Sequence, residues 1–282
     1  RPDALELAAA DHQRVFGYAL HPFAGVFLTP EARVGGACTA ALEPLYARGG
    51  VDARRGEGPE HLATMCHALG RLSGAESDAL ADGAAGIVGH LRDLQRELLD
   101  AHVLAFFPPL AAAVRRVARP FPTALVDELE GLLALHRAAL GGPARAVELP
   151  ASALDLSDTS TGLGAIADTL TTPCFAGAFI GRHELGEVGR RHRLPKGFGG
   201  RSLQARNLLR AAVRFDALPS VMDELAALLE TPATLAEPLA AFVAPWQARG
   251  RQTARMLREV AARAERFDAE HDAAADAEDR TR

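Results

Sequence analysis

"LLDAHVLAFFPPL", residues 98–110, closes a long apolar run and carries a histidine where helical spacing expects a core residue. Leu91, Leu94, Leu98, His102 and Phe106 recur at intervals of three and four, the period of one helix face. Pro108 and Pro109 follow at once. Proline removes a backbone donor and crowds the preceding turn, so the helix is expected to stop there. On that stripe His102 reads as a hydrogen-bonded core residue. A metal would need further ligands three or four positions on, and Ala105 and Phe106 stand there; no metal site is expected.

The rest of the chain extends that helical reading. Its 282 residues are 48% apolar and only 5% aromatic, enough for a large core. They lack the apolar–polar alternation of strands, so the expected fold is all-α. Thirty arginines stand against the single Lys196, and the net charge is −5. The chain as a whole therefore carries no charge footprint of a nucleic-acid or membrane-surface binder. Cys38, Cys66 and Cys174 lie far apart with no CxxC pair, which argues against disulfides and metal cassettes and suits a reducing cytoplasm. No run of about eighteen apolar residues is evident, so no stable membrane insertion is expected. Residues 1–20 lack the basic start and apolar run of a signal peptide.

Helical patterns cover 4–16, 31–46, 59–73, 76–107, 109–118 and 122–140, broken by Pro22, Gly25 and Pro30 and by "ARGGVDARRGEG". Residues 143–160 hold two prolines and no helical period, and read as a linker. Further helices are expected at 161–170, 182–193, 201–215, 218–230, 233–248 and 250–267. The expected organisation is a helical core over 1–142, the linker, a helical extension over 161–268, and an acidic disordered tail over 269–282.

Catalytic signals are few. "EHLATMCH", residues 60–67, gathers Glu60, His61, Cys66 and His67, but a helix puts His61 and Cys66 on different faces. Asp11-His12 and Asp100-x-His102 could be drawn as acid–base pairs, yet no nucleophile stands beside them. Phosphate-loop, HExxH, G-x-S-x-G and kinase patterns are absent. No enzyme activity and no cofactor is expected. Residues 182–214 hold nine Lys/Arg against two Glu. Two short helices around a Gly/Pro turn give the outline of a helix-turn-helix, the alternative reading as a nucleic-acid regulator. The preferred reading is a solvated basic face, with Leu185, Val188, Leu203, Leu208 and Leu209 buried and no nucleic acid bound. A helical metal or haem protein using scattered histidines is a third class.

Several stretches, in order, resemble the TorD/DmsD family of chaperones for molybdenum-containing redox enzymes. Asp11-His12-Gln13-Arg14-Val15-Phe16 resembles the family's Glu-Tyr-x-x-Leu-Phe element, and Pro22–Phe27 its Pro-Tyr-Glu-Ser-x-Tyr element. Glu60-His61-Leu62 is similar to Asp-His-Leu, and His102–Pro108 to His-Leu-Leu-x-Trp-x-Pro. Pro120–Leu125 follows as Pro-Phe-Tyr-x-x-Leu would. Ala24 and Gly25 replace the family's Glu and Ser, Phe106 its Trp, and Met65 an acid that often follows the third element. Residues 169–185, "TLTTPCFAGAFIGRHEL", are similar to an extension of some longer members.

That resemblance makes His102, Phe106 and Pro108 landmarks of the fold. It implies a cytoplasmic chaperone for the twin-arginine signal and the cofactor-free catalytic subunit of a molybdopterin oxidoreductase, with room for a homodimer. The partner peptide is expected beside Phe16, Phe23, Phe27, Glu60 and His61. Residues 1–142 carry a net −4 and the remainder −1, so acidic relief for the peptide's arginines lies in the first part. Because the resemblance begins almost at Arg1, the chain reads as N-terminally incomplete, and the apolar faces of 31–46 and 91–106 are expected to lie partly uncovered.

Overall fold

The computed structural model describes residues 3–53, 56–152, 154–158, 161–231 and 233–279, with side chains described through Phe267. At its centre, α5 (Ala85–Leu98) and α6 (Leu104–Val117) form one continuous helix, joined by a π-helical turn at Leu99–Val103. The helix does not stop at Pro108-Pro109. Those prolines leave the carbonyls of Leu104 and Ala105 without their usual donors four residues on. The Trp246 indole N–H, far along the chain, donates to the Ala105 carbonyl at 2.9 Å. The π turn inserts extra backbone per turn and shifts the phase of the apolar stripe. Leu99, Val103, Leu110 and Val114 carry the stripe onward as fully buried residues, and His102 is left half-buried at its edge.

This run, Ala85–Val117, is long and apolar enough to cross a membrane, with a mean hydropathy of 1.4 over the window, which the sequence reading did not anticipate. Burial accounts for 78% of that window. It is a core helix of this protein.

Around it pack α1 (Ala4–His12) with its π-helical continuation Gln13–Ala19, α2 (Ala24–Leu28), α3 (Ala37–Arg48), α4 (Leu62–Ala81) and α7 (Pro120–Leu140). Asp3 and Glu6 close a reciprocal capping box at the start of α1, satisfying donors that a helix start leaves open. α4 runs through Gly74, past its expected end at residue 73, and turns into α5 at Gly83, whose φ of 70° favours glycine. The expected uncovered faces are not found. Leu42, Leu45 and Tyr46 of α3 and Leu91, Leu94 and Leu98 of α5 are buried within the chain.

The described residues between 141 and 162 form no helix or strand. They are strapped down by Arg249, which donates to the Leu149 and Pro150 carbonyls, and by Arg263, which donates to Leu156. Then come α8 (Leu163–Thr171), α9 (Pro173–Ala176), α10 (Arg182–Arg191), α11 (Arg201–Arg214), α12 (Leu218–Glu230) and α13 (Ala240–Asp279). They enclose a second apolar core built on Leu170, Val188, Leu209, Met222, Leu225 and Leu257. α13 is one helix where two were expected, and it serves both cores. Phe242 and Trp246 join the first, and Ala254, Leu257 and Ala261 the second. The first core is therefore not confined to residues 1–142. The helix also continues through Asp279, into the stretch expected to be a disordered tail, and residues 280–282 lie outside the described ones.

Gly250 does not end α13, because it marks a close crossing. A Cβ there would lie 2.6 Å from the Leu229 carbonyl oxygen, and one on Gly177 would lie 2.1 Å from the Gly250 nitrogen. Gly250→Ala is expected to destabilise the fold by about 1–3 kcal/mol through overpacking. Urea unfolding checks this, and an unchanged midpoint would contradict the crossing.

Candidate functional site

Two distant stretches meet at the start of α4. The Ala24 N–H donates to the Glu60 carbonyl at 3.1 Å, and the Leu62 N–H to the Pro22 carbonyl at 2.9 Å. This isolated antiparallel bridge sets Phe23 opposite His61, with ring centroids 4.8 Å apart in an edge contact. His61 Nδ1 accepts the Ala63 N–H at 3.2 Å, capping α4. That bond assigns the neutral ring's proton to Nε2. Burial pulls the His61 pKa below its usual value, Glu57 opposes that pull, and His12 adds to it.

Beside this bridge opens a groove of about 690 Å³. One wall is His12, Gln13 and Phe16, and the floor is Pro22, Phe23, His61, Leu62 and Cys66. The opposite wall is Leu125, Glu128, Leu129 and Leu132 of α7. α7 has apolar residues on two sides. Val126, Leu133 and Leu140 enter the core, whereas Phe121, Leu125, Leu132 and Leu135 form a second stripe facing solvent, with Leu132 64% and Leu135 72% exposed. An exposed apolar stripe beside a groove is the ordinary mark of a binding surface.

Of the expected partner-binding residues, Phe16, Phe23 and His61 line this groove, and Phe27 and Glu60 do not. Phe27 is fully buried, its ring 5.5 Å from both Phe106 and Phe179. Glu60 is 1% exposed and accepts the Gly35 N–H at 2.6 Å, holding the loop that follows α2. Burial raises its pKa against the lowering effect of the Gly35 and Gly25 amides. The α7 wall went unmarked in the sequence, although its surplus leucine stripe was readable there.

The drawn acid–base pairs dissolve. Asp100 turns to Arg137 at 2.8 Å, away from any catalytic role with His102, and Asp11 lies 3.9 Å from Arg119. Burial raises the Cys66 thiol to about 11 and the Cys38 thiol to about 11, so both stay protonated and poorly nucleophilic. Among the described residues no group of three His, Cys, Asp or Glu is placed to hold a metal. Residues 182–214 pack into the second core through Leu185, Val188, Leu208 and Leu209, while Leu203, expected inside, is 50% exposed.

Residues 1–112 match the family model described as nitrate reductase delta subunit. Over that segment the chain is similar to the NarJ/TorD-type chaperone family. No curated protein and no solved structure matches the chain. The delta-family segment holds α1 to α5, the π turn and the first half of α6, and so contributes the His61 floor and the Phe16 wall. The family so matched is one of redox-enzyme maturation chaperones.

Three histidines give the protein a pH signature. Burial lowers the pKa of His61, His102 and His136 alike. Each therefore binds a proton less readily in the folded than in the unfolded state, whose value is about 6.5. Their contribution to stability is complete above pH about 6.5 and is lost as pH falls toward the lower folded values. Urea midpoints are expected to fall between pH about 7.5 and about 5.5. His61→Asn, which keeps an N-cap acceptor, is expected to flatten that slope. A midpoint that rises over this interval would contradict the assignment.

Proposed function

We propose that the protein is a cytoplasmic maturation chaperone whose groove holds the twin-arginine signal peptide of a molybdopterin oxidoreductase catalytic subunit until its cofactor is in place. The observation that carries this reading is the exposed leucine stripe of α7 facing Phe16, Phe23 and His61 across an open groove. Such signals join a cationic end to an apolar stretch. Glu57 and Glu128 are exposed in the groove lining and suit the cationic end. His61 Nε2–H is a donor for a peptide carbonyl. α1 buries none of its residues, whereas the wall continues into Gln13–Ala19, which Val15 anchors in the first core.

Magnitudes rank the contributions. Burying about 300 Å² of apolar peptide surface is worth roughly 7 kcal/mol before ordering costs. Each exposed Arg–Glu pair adds about 0–1 kcal/mol. Calorimetry with the signal peptide of the client and two variants tests this ranking. Replacing the apolar stretch with Ser and Gly is expected to abolish binding, and Arg-Arg to Lys-Lys to weaken it only a few-fold. Normal binding by the Ser/Gly peptide would sink the groove assignment.

A further inference from the structure

Residues 188–215 contain no Asp or Glu and eight Lys or Arg, within a chain of net charge −5. Part of that charge is neutralised by neighbours: Arg190 pairs with Glu187, Arg191 with Glu224 at 2.5 Å, and Arg206 with Asp168 at 2.8 Å. Arg201 is engaged with the Thr171 carbonyl at 2.6 Å and lies 4.1 Å over the Phe179 ring. Arg193, Lys196, Arg210 and Arg214 are exposed and have no ion-pair partner among the described residues. The loop between α10 and α11 presents Phe198 at 78% exposure, bracketed by Gly197 and Gly199.

The loop and α11 form one surface. Gly199 approaches the Leu203 side chain, and Gly197 lies against Gln204 and Asn207. Leu203, Asn207, Arg210 and Arg214 recur at four, three and four residues and so share one helix face. Beside Lys196 opens a cavity of about 250 Å³ between α10 and α11, with Arg182, His183, Arg190 and Gln204 in a lining free of carboxylates.

We propose that this surface docks the protein on an anionic phospholipid bilayer, with a lipid phosphate in the cavity beside Lys196 and Phe198 seated among the upper acyl chains. Charge complementarity selects this occupant: unpaired cations attract an anionic surface, and a protruding aromatic beside them supplies the apolar anchor of peripheral binding. Duplex DNA would use the cations and leave Phe198 in water. Only the bilayer uses both.

Co-sedimentation of the full chain with vesicles tests this, comparing phosphatidylcholine alone with phosphatidylcholine containing about one third phosphatidylglycerol. Binding is expected only to the anionic vesicles and is expected to weaken in high salt. Each neutralised cation should weaken it about five-fold, so the triple variant K196Q/R210Q/R214Q should lose about a hundred-fold. Phe198→Ser is expected to lose about ten-fold. All four positions are exposed, and circular dichroism confirms that the variants fold. Equal binding to neutral vesicles, or no binding to either, would overturn the proposal. So would anionic-vesicle binding that Phe198→Ser leaves unchanged, or that inorganic phosphate abolishes at millimolar level, which would mark a small-anion cavity. Tighter binding to a random duplex than to anionic vesicles would overturn it in favour of nucleic acid.

Discussion

Trp246→Ala is expected to destabilise the protein by about 3–5 kcal/mol, the range for emptying a large aromatic site in a core. Trp246 is 1% exposed and packs in the first core although it belongs to α13. Its loss would cut that core and also strand the Ala105 carbonyl. Trp246→Phe separates the two effects. It keeps most of the packing and removes the 2.9 Å hydrogen bond, which is expected to cost about 1–3 kcal/mol because the acceptor stays buried. Circular dichroism under urea reads both, since the variants lack the chain's one tryptophan. A Phe variant as stable as the parent would show that the proline-containing helix needs no outside donor.

The second large effect belongs to Asp100 and Arg137. Their side chains are 1% and 6% exposed and lie 2.8 Å apart. Burial raises the Asp100 pKa, and Arg137 and the Arg145 amide lower it less than burial raises it. Arg137 also donates to the Gly141 and Gly142 carbonyls at 2.8 and 3.1 Å, fixing the exit of α7. Removing one partner leaves an uncompensated buried charge, so Arg137→Met is expected to cost about 3–5 kcal/mol. The double variant Asp100→Leu with Arg137→Met is expected to recover part of that loss, because apolar replacements of a buried pair are often close to neutral. A double-mutant cycle measures the coupling, and strict additivity would show that the pair does not act as a unit.

How much of this was legible in the chain differs from element to element. The helical period around Leu91, Leu94 and Leu98 specified the central helix, because one buried face imposes that spacing. The stop at Pro108 was misread for a physical reason. Whether a proline breaks a helix depends on what satisfies the freed carbonyl, and here the donor lies 141 positions away. The break expected between the 233–248 and 250–267 helices does not occur, and Gly250 lies inside α13, where a Cβ would meet the Leu229 carbonyl oxygen. His61, Phe16 and Phe23 were readable as groove residues because they flank a helix break. Phe27 and Glu60 lie in the same stretches, and only the packing of Phe179 and the Gly35 loop shows that they face inward. The resemblance to TorD/DmsD chaperones agreed with the delta-family match over residues 1–112, whereas the α7 wall lies beyond that segment.

The most direct test of the groove is site-specific photo-crosslinking. A photoreactive residue would replace Leu132 on the α7 wall or Phe16 opposite it, with the exposed Ile87 on α5 as the control position. Each protein would be mixed with the cofactor-free catalytic subunit carrying its signal peptide. The expected result is crosslinks from positions 132 and 16 that map to the apolar stretch of the signal, and none from position 87. Crosslinks confined to the mature part of the subunit, or equal yield from position 87, would contradict the account.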